Sequence, residues 1–363
     1  MLEILSHWLS PHFGPFRLLG SNLVHLGLGA GLAAALTLWL LPKLEPRMPC
    51  DRGRAHAVNG STSRGKRTGA GLFMFAILLP ILVLVVPPSA KVWEVIGCLF
   101  LAMVTGYLDD ASSVAWGEWR KGLFDFAVCV LCSLALCQLQ PVTIWLPLVK
   151  GSFSVGPVVF VAMSTVVLWL AINATNCTDG VDGLAGTLSM LSLLYLGGLL
   201  YGVVGHKGVA HYLLLTHNPE GALWAILVFA WVGSVAGYLW YNAEPSRLLM
   251  GDAGSRALGL LMGVAVMTSG NPFLILVVAP IILVNGGTGL IKLMLLRIFK
   301  RLGFETAVDA AHPAVRMLHR VRFPLHDHCR KNLHWSNAQV LMRFALLQAL
   351  LIPLLLVLVI KLR

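Results

Sequence analysis

The stretch "GPVVFVAMSTVVLWLAINATNCTDGVDGLAGTLSMLSLLYLGGLLYG" (156–202) sets two long apolar runs around a polar core, Asn173 to Gly186. Within ten residues the core places Asn173, Asn176, Asp179 and Asp182, spaced by about one helical turn. Each flanking run is long enough to cross a bilayer, which needs about 20 apolar residues. The chain therefore brings four polar side chains to the end of one span and the start of the next.

The rest of the sequence agrees with a membrane reading. Of 363 residues, 57% are hydrophobic and 12% charged, and mean hydropathy is +0.80. A soluble domain carries about 25% charged residues. Ten apolar segments are expected to span, at 22–42, 70–88, 92–108, 123–140, 156–172, 184–204, 222–240, 255–269, 272–296 and 338–360. The fold class expected is all-α, a polytopic membrane protein forming one integral membrane domain over 1–363. The N-terminal "MLEILSHWLSPHFGPFRLLG" lacks the basic start and cleavage site of a signal peptide and reads as a short interfacial helix.

Basic residues sort by loop. Lys43 to Arg67 contribute seven, Arg120 and Lys121 two, Arg247 and Arg256 two, and Arg297 to Lys331 eight, nineteen in all. The opposite side holds six: Arg17, Lys91, Lys150, Lys207, Lys361 and Arg363. Positive charge marks the cytoplasmic side, so both termini are expected outside. The net charge of +11 is mainly this topology signal and suits anionic lipid or phosphate. It is not a nucleic-acid signal, because no basic stripe with interleaved aromatics occurs. The cysteines (50, 98, 129, 132, 137, 177, 329) fall in spans or cytoplasmic loops, so no disulfide framework is implied.

Loop parity gathers the polar motifs. "GYLDDASS" holds Asp109 and Asp110, "LLMGDAGSRALG" holds Asp252, and "RFPLHDHCRKN" holds His326, Asp327 and His328. Two spans separate each from the next, so they emerge on one face with the 173–186 core, joined by the loop "NGSTSRGKRTGAG". Carboxylates crowded at one face repel unless a cation joins them. A hard divalent ion resolves this: Mg²⁺ takes oxygen ligands, typically one or two carboxylates plus substrate phosphates. Asp182 and Asp252 precede apolar runs, where helix N-termini favour anions. Each motif alone has a plainer reading as a cap or turn. The His326/His328 pair lacks the further ligands that a tetrahedral zinc site needs, Cys329 aside.

Taken in order, "NATNCTDGVDGLAG" and "MGDAGSRALG" resemble the polyprenyl-phosphate N-acetylhexosamine-1-phosphate transferase superfamily. The resemblance runs from about Arg64 to Phe344. "KGL" (121–123), "FPLHDH" and the final span opening with Arg343-Phe344 are similar to the MraY type, phospho-N-acetylmuramoyl-pentapeptide-transferase. That likeness implies a ten-span bacterial inner-membrane enzyme with a cytoplasmic-face site. It would use Mg²⁺ to move a phospho-sugar from a UDP-sugar to undecaprenyl phosphate, releasing UMP. For the muramoyl type the product is lipid I, for peptidoglycan. It also implies roles: Asp252 holds Mg²⁺ with Asp179, and Asp109 or Asp110 orients or deprotonates the lipid phosphate. Asp182 faces the base, Asn173 and Asn176 shape the site, and Lys121, His326 and His328 contact substrate. Partners expected are undecaprenyl phosphate, UDP-sugar and membrane lipid, and a homodimer is allowed.

Departures from the family pattern are Ser113 for Lys, Asp327 for the middle His, "KRTGAG" for Thr-Pro-Thr-Met-Gly-Gly, and Leu249 for an aromatic residue. They bear on nucleotide affinity and metal charge balance, and Lys66, Arg67, Arg120 or Lys121 could supply the lost cation. Two other readings stand beside the muramoyl one: a sister enzyme transferring phospho-GlcNAc to the same carrier, and a catalytically weakened membrane scaffold. The basic loop 297–337, with "ETAVDAAHPAVRMLHRV", favours a large muramoyl-peptide donor.

Overall fold

The computed structural model describes residues 1–53, 63–147, 149, 151–306 and 312–361. Ser61 and its neighbours in the first loop, Arg54, Lys150, Arg363 and part of "ETAVDAAHPAVRMLHRV" lie outside the described residues.

The chain is predominantly helical. Short α1 (Leu2–Leu9) leads into α2 (Asn22–Leu44), followed by α3 (Ala70–Val85), α4 (Ala90–Ala111), α5 (Glu118–Cys137), α6 (Pro157–Thr178) and α7 (Leu184–Leu199). Then come α8 (Lys207–Tyr212), α9 (Gly221–Asn242), α10 (Gly251–Thr268), α11 (Leu274–Val278), α12 (Pro280–Ile282), α13 (Thr288–Arg301), α14 (Pro313–Arg320), α15 (Leu325–Asn332) and α16 (Asn337–Lys361). Each expected apolar segment is helical, and seven helices among the described residues are long and apolar enough to span a bilayer.

Three features differ from the sequence expectation. The segment 272–296 is not one helix. It breaks at Ala279, ahead of Pro280, and a π turn at Leu283–Gly287 joins α12 to α13. Pro280 supplies no N–H to the preceding turn, which accounts for the break. The chain is also not all-α. Strands β1 (Val142–Trp145) and β2 (Ser152–Val155) pair antiparallel, with Val142 opposite Val155 and Trp145 opposite Ser152. The hairpin docks on the C-terminal end of α10, where the backbone N–H of Trp145 donates to Gly270 (2.8 Å) and its indole to Ser269 (3.0 Å). Finally, Arg256, counted among the loop bases, is fully buried within α10.

The last point follows from where α10 sits. Seventeen of its residues, Gly251 to Met267, are buried, among α3, α4, α6 and α7. A helix that is apolar all round and rich in glycine is one enclosed by others. Its N-terminal end meets the ends of α4 and α6 and the start of α5. The candidate site lies there.

Candidate active site

One cavity of about 240 Å³ is lined by the first loop, the Asp109–Lys121 region, the 179–182 turn and the start of α10, with Asn242, Arg330 and Asn337 at its edges. Among the lining residues are Asp109, Asp110, Lys121, Asp179, Asp182 and Asp252, so the loop-parity argument brings the carboxylates together.

The centre is one ammonium shared by two carboxylates. Lys121 Nζ, in the first turn of α5, lies 2.5 Å from Asp109 Oδ2 and 2.8 Å from Asp252 Oδ2. Asp109 ends α4 with only 3% of its surface exposed, and its other oxygen accepts the backbone N–H of Trp116 (2.7 Å). Lys121 precedes the apolar part of α5. Burial alone would lower its pKa, but the facing Asp252 and Asp109 carboxylates outweigh this and hold it above the ordinary lysine value, so it stays charged.

Asp110 has a different job. Its two oxygens accept the backbone N–H groups of Asp252 (3.1 Å) and Ala253 (3.2 Å). These are orphan donors of the α10 N-terminus, so Asp110 caps the helix that carries Asp252. Gly251 makes this approach feasible. Its φ of +71° disfavours a side chain, and a Cβ there would collide with Asp110 Oδ2.

The 179–182 turn forms the facing wall. Asp182 accepts the backbone N–H of Ser246 (3.0 Å) and lies 3.5 Å from Lys66 Nζ, which also donates to Ser246 Oγ (2.9 Å). Asn242 donates to Leu248 O and accepts from the N–H of Gly183, tying α9 to the start of α7. Leu249 lines the cavity where the family pattern has an aromatic ring.

Other expected site residues are placed less directly. Asn173 donates to Trp169 O of its own helix, and Asn176 accepts from Ser255 Oγ (3.4 Å), joining α6 to α10. Neither is among the cavity's lining residues. His328 Nδ1 accepts the N–H of Arg322 (3.4 Å). His326 is buried behind Gly180, where a Cβ would run into its Nε2. Asn285 Oδ1, in the π turn, accepts from both the backbone N–H (2.8 Å) and Nδ1 (3.2 Å) of His326. Nδ1 thus faces an acceptor, and Nε2 lies 3.8 Å from Asp327 Oδ1. Asp327 lies 3.7 Å from Arg330, a lining residue. Of the cations named as replacements, Lys66 and Lys121 face the cavity. Arg67 donates to Met48 O, and Arg120 stacks on Trp116 at 3.7 Å.

Sequence reasoning passed over Asn242, Asn285, Asp51, Arg52 and Arg330. Asp51, Arg52 and Arg330 stand among charged loops without a motif, and Asn285 lies inside an apolar run. Only a search for lone polar residues inside expected spans would have flagged Asn285.

Known proteins resemble the chain over most of its length. Residues 92–270 match the model of "Glycosyl transferase family 4". The chain is 46% identical to the phospho-N-acetylmuramoyl-pentapeptide-transferase of Treponema pallidum subsp. pallidum, over 97% of this chain and 93% of that protein. The figures are the same for the protein of that name from Treponema pallidum (strain Nichols). The one from Opitutus terrae is 28% identical over 94% of this chain and 95% of its own length.

Proposed function

This chain belongs to the phospho-N-acetylmuramoyl-pentapeptide-transferase family, and from that premise we propose that its carboxylate cavity is where the transfer occurs. The protein is a multi-pass enzyme of the bacterial inner membrane. It transfers phospho-MurNAc-pentapeptide from UDP-MurNAc-pentapeptide to undecaprenyl phosphate, releasing UMP and forming lipid I for peptidoglycan. The observation that carries the site assignment is the Lys121 ammonium held between Asp109 and Asp252 in a polar cavity. The basic asymmetry of the loops supports a cytoplasmic mouth for that cavity.

The family's reaction depends on Mg²⁺. Among the described residues no group of three or more His, Cys, Asp or Glu could hold a metal. That donor set still fits Mg²⁺, which takes few carboxylates and fills its shell with phosphate oxygens and water. Asp252 would hold it, with Asp179 on the same cavity. When bound, the ion neutralises charge on the diphosphate and polarises the phosphoryl group.

The chain's own groups do the rest by positioning and charge neutralisation. Lys121 is the movable cation: a small shift of its side chain takes the ammonium from the carboxylates to a phosphate oxygen. Both oxygens of Asp110 are committed to fixed backbone N–H groups, so it positions Asp252. Asp109 surrenders its outer oxygen once Lys121 shifts, and is the better candidate to orient or deprotonate the lipid phosphate. Asp182, steadied by Ser246 and Lys66, faces the nucleotide base, with Leu249 as an apolar wall. His326, oriented by Asn285, backs the 179–182 turn.

The test is release of labelled UMP by purified protein given undecaprenyl phosphate and equal concentrations of UDP-MurNAc-pentapeptide and UDP-GlcNAc, with the lipid product identified by mass. A muramoyl-pentapeptide lipid is expected. A product carrying only GlcNAc-phosphate would replace this reading with the sister enzyme, and no product from either donor would favour a scaffold.

A further inference from the structure

One helical turn below the Lys121–Asp252 contact lies a second ion pair of opposite polarity. Asp125 follows Lys121 by four residues on α5, and Arg256 follows Asp252 by four on α10. Arg256 Nε donates to Asp125 Oδ1 (2.8 Å), and its Nη2 donates to the same oxygen. Arg256 is 0% exposed and Asp125 3%. Arg256 Nη2 also reaches the backbone oxygen of Lys121 (3.5 Å), while Nη1 has no hydrogen-bond partner among the described residues. Reading along α5 the charges run plus, minus; along α10 they run minus, plus.

A buried pair of this kind is a poor source of stability, because desolvation offsets most of the attraction. Ionisable groups inside spans call for a functional account. The spacing supplies one. Residues four apart on a helix are neighbours that pair readily, so Asp125 is a natural competitor for the Lys121 ammonium. Arg256 is equally a competitor for the Asp252 carboxylate. Paired with each other, neither interferes.

We propose that Asp125 and Arg256 are positioning residues that reserve Lys121 for Asp252 and Asp109 by occupying one another. This rests on the reading of Lys121, Asp109 and Asp252 as the reactive centre. It makes an asymmetric prediction. Freed Asp125 draws Lys121 away and leaves Asp252 open to a divalent cation. Freed Arg256 covers Asp252 and closes it to one. Removing both leaves the upper contact undisturbed.

The experiment uses full-length protein in detergent or nanodiscs with four variants: Arg256→Leu, Asp125→Leu, the double variant, and Arg256→Gln. Two quantities are read: UMP release, and the Mg²⁺ concentration that half-maximally shifts thermal melting, which needs no turnover. Each single Leu variant should lose about 100-fold in kcat with donor KM within about threefold. The double should return to within about fivefold of the parent, a non-additivity expected only of coupled residues. The Mg²⁺ midpoint should fall about tenfold in Arg256→Leu, rise in Asp125→Leu and be parental in the double. If Arg256→Leu does not fold, Arg256→Gln, which keeps a donor for Asp125 but no charge, is expected to behave likewise. A merely structural pair predicts Mg²⁺ midpoints that do not move in opposite directions. That result, or a folded double variant still about 50-fold down, would overturn the proposal. Asp252→Asn and Lys121→Gln serve as controls: if they stay active, the site reading fails rather than this inference.

Discussion

Replacing Lys121 by Gln removes the one positive charge shared by Asp109 and Asp252. Its consequence for divalent-cation binding can be sized from the geometry. At 2.8 Å from Asp252 Oδ2, with an effective dielectric constant of about 20, the gross attraction is about 6 kcal/mol. The Lys121 side chain is 28% exposed, and a displaced ammonium regains water and lipid phosphate. Keeping about one third as the net term, to allow for that screening, leaves about 2 kcal/mol. That is about a 30-fold change in an equilibrium constant, at about 1.36 kcal/mol per decade. In the wild type a cation entering at Asp252 must displace this ammonium, whereas in Lys121→Gln it need not. The Mg²⁺ concentration for half-maximal protection against melting should therefore fall about 30-fold. Over the same comparison kcat should fall at least about 100-fold, because the movable cation that meets the phosphates is gone. The assay is a Mg²⁺ titration of melting temperature beside a Mg²⁺ titration of UMP release. A midpoint that stays put or rises in the folded variant would show that Lys121 does not compete for Asp252, and the reasoning would fail.

Other outcomes follow from neighbouring contacts. Asp252→Asn should fold normally and lose at least about 1,000-fold in kcat, and activity within about threefold of wild type at saturating Mg²⁺ would remove it from the centre. Asp110→Asn keeps one acceptor oxygen where two backbone N–H groups need one each, so melting should report a loss of about 1 kcal/mol, with kcat reduced; no change in either would refute the capping role. Gly251→Ala drives a Cβ into Asp110 Oδ2 at a φ of +71° and should cost about 1–3 kcal/mol together with the activity, checked by melting and UMP release. Asp327→His loses the carboxylate beside Arg330 and should lower activity; a clear rise would mark the departure from the family's His triplet as decay.

The ring of carboxylates was legible in the sequence, because alternation of spans forces Asp109, Asp110, Asp179, Asp182 and Asp252 to a common face whatever the packing. What each one does was not legible. Asp109 and Asp110 are adjacent and chemically identical, and only their partners separate a lysine-bound carboxylate from a helix cap. The segment at 255–269 is short and glycine-rich for a span. Those properties reflect its enclosure by four helices, which lipid-facing hydropathy does not measure. Arg256 was misplaced in a loop for the same reason: charge was taken to mean exposure, and its partner Asp125 lies 131 residues away. The β-hairpin was missed because two four-residue strands show too little alternation to stand out beside long apolar runs. His326 was flagged, but its orientation depends on Asn285, 41 residues earlier and without any local signature.

The separation of 131 positions between Asp125 and Arg256 also sets an order of events at the ribosome. At about 5–20 residues per second, synthesis of the intervening chain takes roughly 7–26 s. Throughout that interval α5 is already made, and its buried carboxylate has no guanidinium to meet. Asp125 lies near the start of α5, and the cation one turn away on the same helix is Lys121. Of the contacts around the centre, the one between Lys121 and Asp109 joins residues twelve apart and can form early. The other two, Lys121 with Asp252 and Arg256 with Asp125, both wait for α10. The last partners of the reactive centre and of the buried pair beneath it therefore arrive together, on one helix.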